Sequence, residues 1–290
     1  MNKAEKAALV SLPIAIAIAI LVAIAGSQFG DIFNGFPVFG LVIAIAFIIQ
    51  VVAFIPAYIS QTEKYYDMTG TITYVLTTVV ALLLTESLDR RSLLLAALII
   101  IWALRLGIFL FRRVHSVGKD GRFDNLKPSF IRYLNTWILQ GLWVAFTSAA
   151  ALAAISSKNK VDLGIVGVVG LIIWVAGFVI EITADSQKKK FSANPKNINK
   201  FIDEGLWARS RHPNYFGEIL LWFGISIIAF PVLQSIQLFT LFSPIFVYIL
   251  LTKGSGIPIL ERRADKKWGG IPEYEEYKNS TPILVPKVFP

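Results

Sequence analysis

The sequence predicts an all-α, polytopic transmembrane bundle of about eight spans, seven being the alternative count, with both termini on one side of the membrane. Three observations predict it. Of the 290 residues, 55% are hydrophobic and only 16% are charged. The apolar residues come in long blocks and not in alternating faces, and a helix rising 1.5 Å per residue needs about 20 such residues to cross the hydrocarbon core. Lysine and arginine gather in every second connection: six between 112 and 132, seven between 188 and 211 and seven from 253 onward, against two at 90–91 and two at 158–160 on the opposite side. By the positive-inside rule the termini are cytoplasmic.

The same composition excludes several classes of function. Without cysteine there is no disulfide, no thiolate catalysis and no thiolate-bound metal, and two histidines, His115 and His212, are too few for a histidine-rich centre. No metal is expected. The formal charge of +9 lies beside membrane spans, where lipid headgroups and topology account for it, so nucleic acid is not an expected partner. The expected partners are a lipophilic small molecule and the membrane lipids; nothing in the sequence speaks to oligomeric state.

Lys3 and Lys6 precede a first span from Ala7 to about Ala25, read as a membrane helix and not a cleaved leader, because no small-residue cleavage site precedes a soluble domain and more membrane follows. Its Ala-Ile alternation between Ile14 and Ile20 has the period of a strand. A lone strand in lipid leaves its backbone groups unsatisfied, so a helix is expected. A glycine-rich connection, 26–40, leads to a second span, about Val38 to Ile59, holding Gln50 and Pro56. The third, Thr71 to Thr85, is short and is expected to reach back through Asp67. A charged turn, Glu86 to Arg91, leads into the fourth, Leu93 to Phe111, which carries Arg105. The fifth covers Tyr133 to Ile155 and the sixth Leu163 to Thr183. Gly164, Gly167 and Gly170 follow no strand, so they read as helix-packing glycines and not as a nucleotide loop. A basic, partly amphipathic connection from Asp185 to Arg211 precedes the seventh span, Asn214 to Val232. The eighth is Ile236 to Leu251, and a polar tail follows with an acidic-aromatic patch at Glu273 to Tyr277. Spans 1–60 and the remainder, 61–290, are expected to form one integrated bundle.

The stretch Arg209 to Trp222, Arg-Ser-Arg-His-Pro-Asn-Tyr-Phe-Gly-Glu-Ile-Leu-Leu-Trp, sets a dense polar cluster directly before an apolar run. Pro213 suits the first helical position, where its missing N–H would have no partner anyway. Arg211 and His212 then stand at a helix mouth whose free N–H groups and positive dipole end favour an anion such as a phosphate. A positively charged anchor with interfacial aromatics is the plainer reading. Glu218, however, lies inside the membrane, and with Asp67, Arg105, Glu181 and Asp185 it falls at the cytoplasmic level of the spans. A charge near the bilayer centre costs on the order of 2.5–3.5 kcal/mol, so these groups are expected to face a wet cavity opening to the cytoplasm; snorkelling is the alternative for Asp67 and Asp185. Arg122, Lys188, Lys189, Lys190, Arg209 and Arg211 offer charge for a phosphorylated nucleotide, and Trp207, Tyr215 and Trp222 offer flat faces for a ring. For Lys188 to Lys190 a topology signal competes with that role.

Arg-His-Pro-Asn-Tyr-Phe-Gly-Glu at 211–218, Ala-Asp-Ser-Gln-Lys at 184–188, Trp-Ala-Leu-Arg-Leu-Gly at 102–107, and the ending Glu-Arg-Arg-Ala-Asp-Lys-Lys-Trp-Gly with Pro-Glu-Tyr-Glu-Glu-Tyr resemble the steroid 5-alpha-reductase-like family. More closely they resemble its bacterial and archaeal, DUF1295-type branch. The resemblance runs from about Glu63 to Pro290 and is most specific between Glu181 and Tyr277. It implies a multi-pass protein of a prokaryotic cell membrane that uses NADPH to reduce a carbon–carbon double bond conjugated to a carbonyl in a steroid-like or isoprenoid lipid. It carries cofactor contact to Asn214, Glu218 and Trp222, to Asp185 on the same wall, and to Tyr274 or Tyr277 as a tail aromatic closing over the cofactor. Lys189, Arg211, His212 and Tyr215 complete that set. The family's steroid enzymes polarise the carbonyl with a Glu and a Tyr; here Trp102 stands at the Tyr position, and Glu63 and Asp67 are the acids nearest the Glu. The catalytic expectation is that Asp67, assisted by Tyr66, gives a hydrogen bond or proton to the carbonyl oxygen while hydride arrives at the β carbon. Burial would keep Asp67 protonated, Arg105 would hold it or the nicotinamide carboxamide, and Glu63 is the other acid.

Two other readings share these features. The Arg-His-Pro-x-Tyr start and Glu-rich tail also resemble membrane isoprenylcysteine methyltransferases, which use S-adenosylmethionine and need no phosphate-binding charge; the basic 186–211 segment and the span count favour the reductase. A transporter or lipid-binding scaffold would continue its polar path to the outer face, where the spans are almost entirely apolar.

Overall fold

Among the residues that the computed structural model describes, 1–117, 121–254 and 256–287, eight helical segments are long and apolar enough to cross a membrane. The side chains of 113–117, His115 among them, lie outside the described residues. The segments are α1 (Lys3–Ser27), α2 (Val38–Ile59), α3 (Tyr66–Leu84), α4 (Arg90–Val117), α5 (Phe130–Ile155), α6 (Gly164–Ala193), α7 (Pro213–Ala229) and an eighth that starts at Ser235. Contacts divide the chain into two units, one of Met1–Gly167 with Ser226–Ser243 and one of Val168–Ile225 with Pro244–Pro290.

In the first unit α5 is central and packs against α1, α2, α3 and α4. Of its apolar stretch 78% is buried, against 17% for α1, which faces outward over most of its surface. The run Ala149–Ala154, five alanines and Leu152, is buried without interruption, the alanines letting neighbouring helices approach closely. The Ala-Ile alternation of α1 resolves as expected. Ala15 and Ala19, four residues apart, pack with Ile138 and Leu142 of α5, while Ile14, Ile16 and Ile20 are exposed to what a membrane supplies as lipid.

Five boundaries differ from the expectations. The glycine-rich connection holds an antiparallel hairpin, β1 (Ile32–Phe33) and β2 (Phe36–Pro37), turned by Asn34 and Gly35 at φ 48° and 84°. That is the left-handed pair a two-residue hairpin turn requires. Helix α4 starts at Arg90, not Leu93, so Arg91 is helical and buried and not a turn residue; its guanidinium donates to the carbonyls of Asp162 at 2.6 Å, Leu163 at 3.2 Å and Ile228. Helix α6 continues to Ala193, ten residues past Thr183, because nothing between breaks a helix until Pro195. Asp185 and Lys189 are therefore helical residues. The eighth segment is not one α-helix: Ser235–Phe242 is a 3₁₀ stretch, α8 (Ser243–Ile249) follows, and Leu250–Gly254 is a π turn. Pro244, lacking an N–H, cannot continue an i→i−4 ladder from Thr240. The tail, finally, folds into α9 (Ile257–Trp268) and α10 (Pro272–Ser280).

Candidate functional site

Glycines bring α6 and α7 of the second unit together. A Cβ on Gly217 would stand 2.6 Å from the Gly177 carbonyl oxygen and 2.7 Å from the Glu181 nitrogen, and one on Gly224 2.7 Å from the Gly170 oxygen and the Trp174 nitrogen. Two glycines seven residues apart on α7 thus lie against two seven apart on α6, and only backbone without side chains fits. Of the glycines singled out in the sequence, Gly170 packs in this way; Gly164 starts the helix at φ 54°, and Gly167 faces the Leu163 side chain of its own turn. The contact sets Glu181 beside Gly217 and so at the level of Glu218. Glu181 and Asp185 are buried, Trp222 is buried, and Asn214 and Glu218 are half-buried.

At the mouth of α7 three predicted residues meet. Arg211 Nη1 donates to Glu261 Oε2 of α9, His212 Nε2 lies 2.8 Å from Glu261 Oε1, and the rings of His212 and Tyr215 stack at 5.7 Å and 11°. Burial lowers the affinity of His212 for a proton more than Glu261 raises it. The imidazole is therefore neutral at pH 7 and donates its Nε2 proton to the carboxylate, a tautomer inferred from that acceptor. Arg211 keeps a buried Nε with no hydrogen-bond partner among the described residues. Beside it the Lys188 ammonium sits 4.5 Å over the Trp207 ring, whose Nε1 donates to the Ala184 carbonyl at 3.0 Å. Glu261 went unrecognised in the sequence as a site residue. Its one signal is its place as the first residue of the Glu-Arg-Arg-Ala-Asp motif.

Tyr274 and Tyr277 hold the tail to the segment before α7. Tyr277 donates to the Trp207 carbonyl at 2.7 Å and Tyr274 to Asp265 Oδ1 at 3.1 Å, and Phe201 packs against both rings. Burial raises both phenol pKa values, so both stay protonated donors. Lys189 is exposed on α6 and joins none of these contacts.

The four catalytic candidates fall in the first unit. Glu63 is buried and bound by Lys127 Nζ at 2.5 Å. Tyr66 donates its hydroxyl to the Thr136 carbonyl at 3.1 Å and packs against Phe123 and Trp137. Asp67 is half-buried in the first turn of α3, and Arg105 is half-buried on α4 with its guanidinium 5.5 Å from the Phe109 ring centre. Trp102 is buried and meets Tyr74 edge-on at 5.2 Å. No group of three or more potential metal ligands occurs among the described residues.

Eight spans without a substantial sheet, polar groups held inside helices and a charged cluster at a helix mouth define a multi-pass α-helical membrane protein. The chain belongs to the family described as protein of unknown function (DUF1295), whose model matches residues 53–281. It is similar to the Delta(14)-sterol reductase ERG24 of Saccharomyces cerevisiae, 39% identical over 75 residues, which are 22% of this chain and 17% of that one. It is also similar to the Delta(14)-sterol reductase of Arabidopsis thaliana, 30% identical over 130 residues, 40% of this chain and 30% of the relative. The chain thus spans less than a third of the length of these curated relatives. No solved structure matches significantly.

Proposed function

We propose that the protein is an integral membrane reductase that uses NADPH to reduce a carbon–carbon double bond conjugated to a carbonyl in a lipophilic substrate. It resides in a prokaryotic cell membrane with both termini and the active site toward the cytoplasm. The similarity to two sterol reductases supports the reaction class. The observation that carries the cofactor part is Arg211: one edge of its guanidinium is bound by Glu261, a second donor is unpartnered, and it stands at the start of a 17-residue helix. A fixed cation at a helix N-terminus suits a phosphate.

In this reading Arg211 and Lys189 hold phosphate charge, Asn214, Tyr215, Glu218 and Trp222 line the remainder from α7, and Asp185 belongs to the same wall on α6. Neutral His212 fixes Glu261, and through it the guanidinium. Tyr274 and Tyr277 act from behind, by holding the segment that leads to Arg211. NADPH, when bound, supplies the hydride. Asp67 is the preferred donor to the carbonyl oxygen, with Arg105 orienting it. Tyr66 serves by position, its hydroxyl being bonded to Thr136, and Glu63, bound by Lys127, is the other acid.

The test is binding of NADPH beside S-adenosylmethionine to the detergent-purified protein, read by quenching of its seven tryptophans. NADPH is expected to bind and S-adenosylmethionine not. Arg211→Ala should weaken NADPH about 10- to 100-fold, the range for a lost hydrogen bond to a charged group. Binding of S-adenosylmethionine alone would replace the reductase reading by a methyltransferase.

A further inference from the structure

We infer that the tail segment 281–287 is a strap that positions Arg211, and that the buried Ser210 hydroxyl fastens it. The inference rests on the reading that Arg211 binds the cofactor, and it adds to that reading a positioning residue, Ser210.

The sequence of the segment, Thr-Pro-Ile-Leu-Val-Pro-Lys, makes it extended. A residue before proline is pushed out of the helical region, so α10 stops at Ser280 and Thr281 is extended at φ −107° and ψ 122°. Pro282 and Pro286 carry no N–H, so the segment cannot pair as a regular strand. It pairs irregularly instead, antiparallel to the residues that lead into α7. The Arg211 N–H donates to the Pro282 carbonyl at 2.9 Å, and the Lys287 N–H donates to the Arg209 carbonyl at 3.0 Å. The tail therefore advances from 282 to 287 while its partner recedes only from 211 to 209, and Ser210 bridges the slack. Wholly buried, its Oγ donates to the Leu284 carbonyl at 2.7 Å and accepts the His212 N–H at 3.2 Å.

These bonds occupy the backbone N–H groups of Arg211 and His212, and Pro213 has none. What these three residues offer an anion is then the Arg211 guanidinium. That side chain is held at both ends, its backbone by the strap and its Nη1 by Glu261 of α9. Fixing it before the ligand arrives removes part of the ordering entropy that a phosphate contact otherwise costs.

The experiment is a double-mutant cycle on the full chain in detergent, with NADPH binding read by tryptophan quenching. Ser210→Ala should weaken NADPH about 3- to 10-fold, the worth of one neutral hydrogen bond. Combined with Arg211→Ala it should bind no more weakly than Arg211→Ala alone, because the hydroxyl acts through the guanidinium. Lys287→Pro, which removes the N–H given to the Arg209 carbonyl, should act in the same sense and serves if Ser210→Ala does not fold. Losses that add in the double variant would overturn the inference, since a tail docked for stability alone acts without regard to Arg211. Unchanged NADPH affinity in both single variants would overturn it as well. A second readout needs no cofactor: trypsin should cut after the exposed Arg209 faster in both variants than in the unaltered protein, and equal rates would also sink the strap. If the unaltered protein binds no NADPH, the cofactor reading fails, and the cleavage rates still decide whether the strap holds this segment.

Discussion

Glu261 joins the two side chains on which the mouth of α7 depends, accepting from Arg211 with one oxygen and from His212 with the other. Removing it strands a largely buried guanidinium and a buried imidazole. Glu261→Ala is expected to cost about 3–5 kcal/mol at most, and less to the extent that water reaches the cation, seen as a lower unfolding midpoint in detergent. The pH dependence follows from His212, whose folded-state pKa lies below its ordinary value because burial disfavours the charged form. In the unfolded chain the imidazole takes up a proton near pH 6.5, which the folded protein resists. The unfolded state then binds more protons, so stability is complete above about pH 6.5 and declines as the pH falls below it. The unfolding midpoint should drop between pH 7 and 5.5, and His212→Gln should flatten that slope; an equal slope in both proteins would exclude His212 as its source.

Among the elements, the α6–α7 pair is the most demanding contact of the second unit. A methyl on Gly217 would press on the backbone oxygen of Gly177, an atom that cannot rotate away, so Gly217→Ala must separate the helices at the point where Glu181 and Glu218 share a level. The expected loss is about 1–3 kcal/mol, read as thermal unfolding, together with weaker NADPH quenching. Gly167→Ala is the control. Its added methyl meets only the Leu163 side chain, which can move, and the variant should unfold within a degree or two of the parent, on the order of a surface change. The extension of α6 to Ala193 has its own consequence, for it carries Asp185 and Lys188 on a rigid helix instead of a loop. Lys188 can then rest over Trp207.

For the whole molecule the charge distribution makes a definite forecast of which way it lies in the membrane. The chain has no cysteine, so single cysteines can be introduced without a background. A membrane-impermeant maleimide should label Lys158→Cys in intact cells and Ser192→Cys only after lysis, both positions being exposed. The reverse pattern would invert the topology and move the proposed cofactor cluster to the outer face. At the level of Lys158 the first unit is tied by backbone capping: Arg91 binds the carbonyls of Asp162, Leu163 and Ile228, and Lys160 binds that of Ile155 at 2.9 Å.

The eight spans could be read from the chain because lipid offers a crossing segment only one economical way to satisfy its own backbone, and a run of apolar residues of sufficient length therefore becomes a helix whatever surrounds it. The same argument chose helix over strand for Ile14 to Ile20. The Arg211-His212-Pro213 turn was equally legible, since proline at a first helical position and its polar neighbours are local features. What tertiary structure alone decided is which polar groups meet. Glu261 lies fifty residues from Arg211, and nothing in either neighbourhood marks the other. Arg91 read as an ordinary turn charge until the carbonyls of four distant residues, Val161, Asp162, Leu163 and Ile228, closed around it. Tyr66, an attractive donor in sequence, proved to have its hydroxyl engaged by Thr136 seventy residues on. Period and composition act over a turn or a span, whereas hydrogen-bond partners are selected by packing among helices, and packing brings together residues whose separation along the chain leaves no local trace.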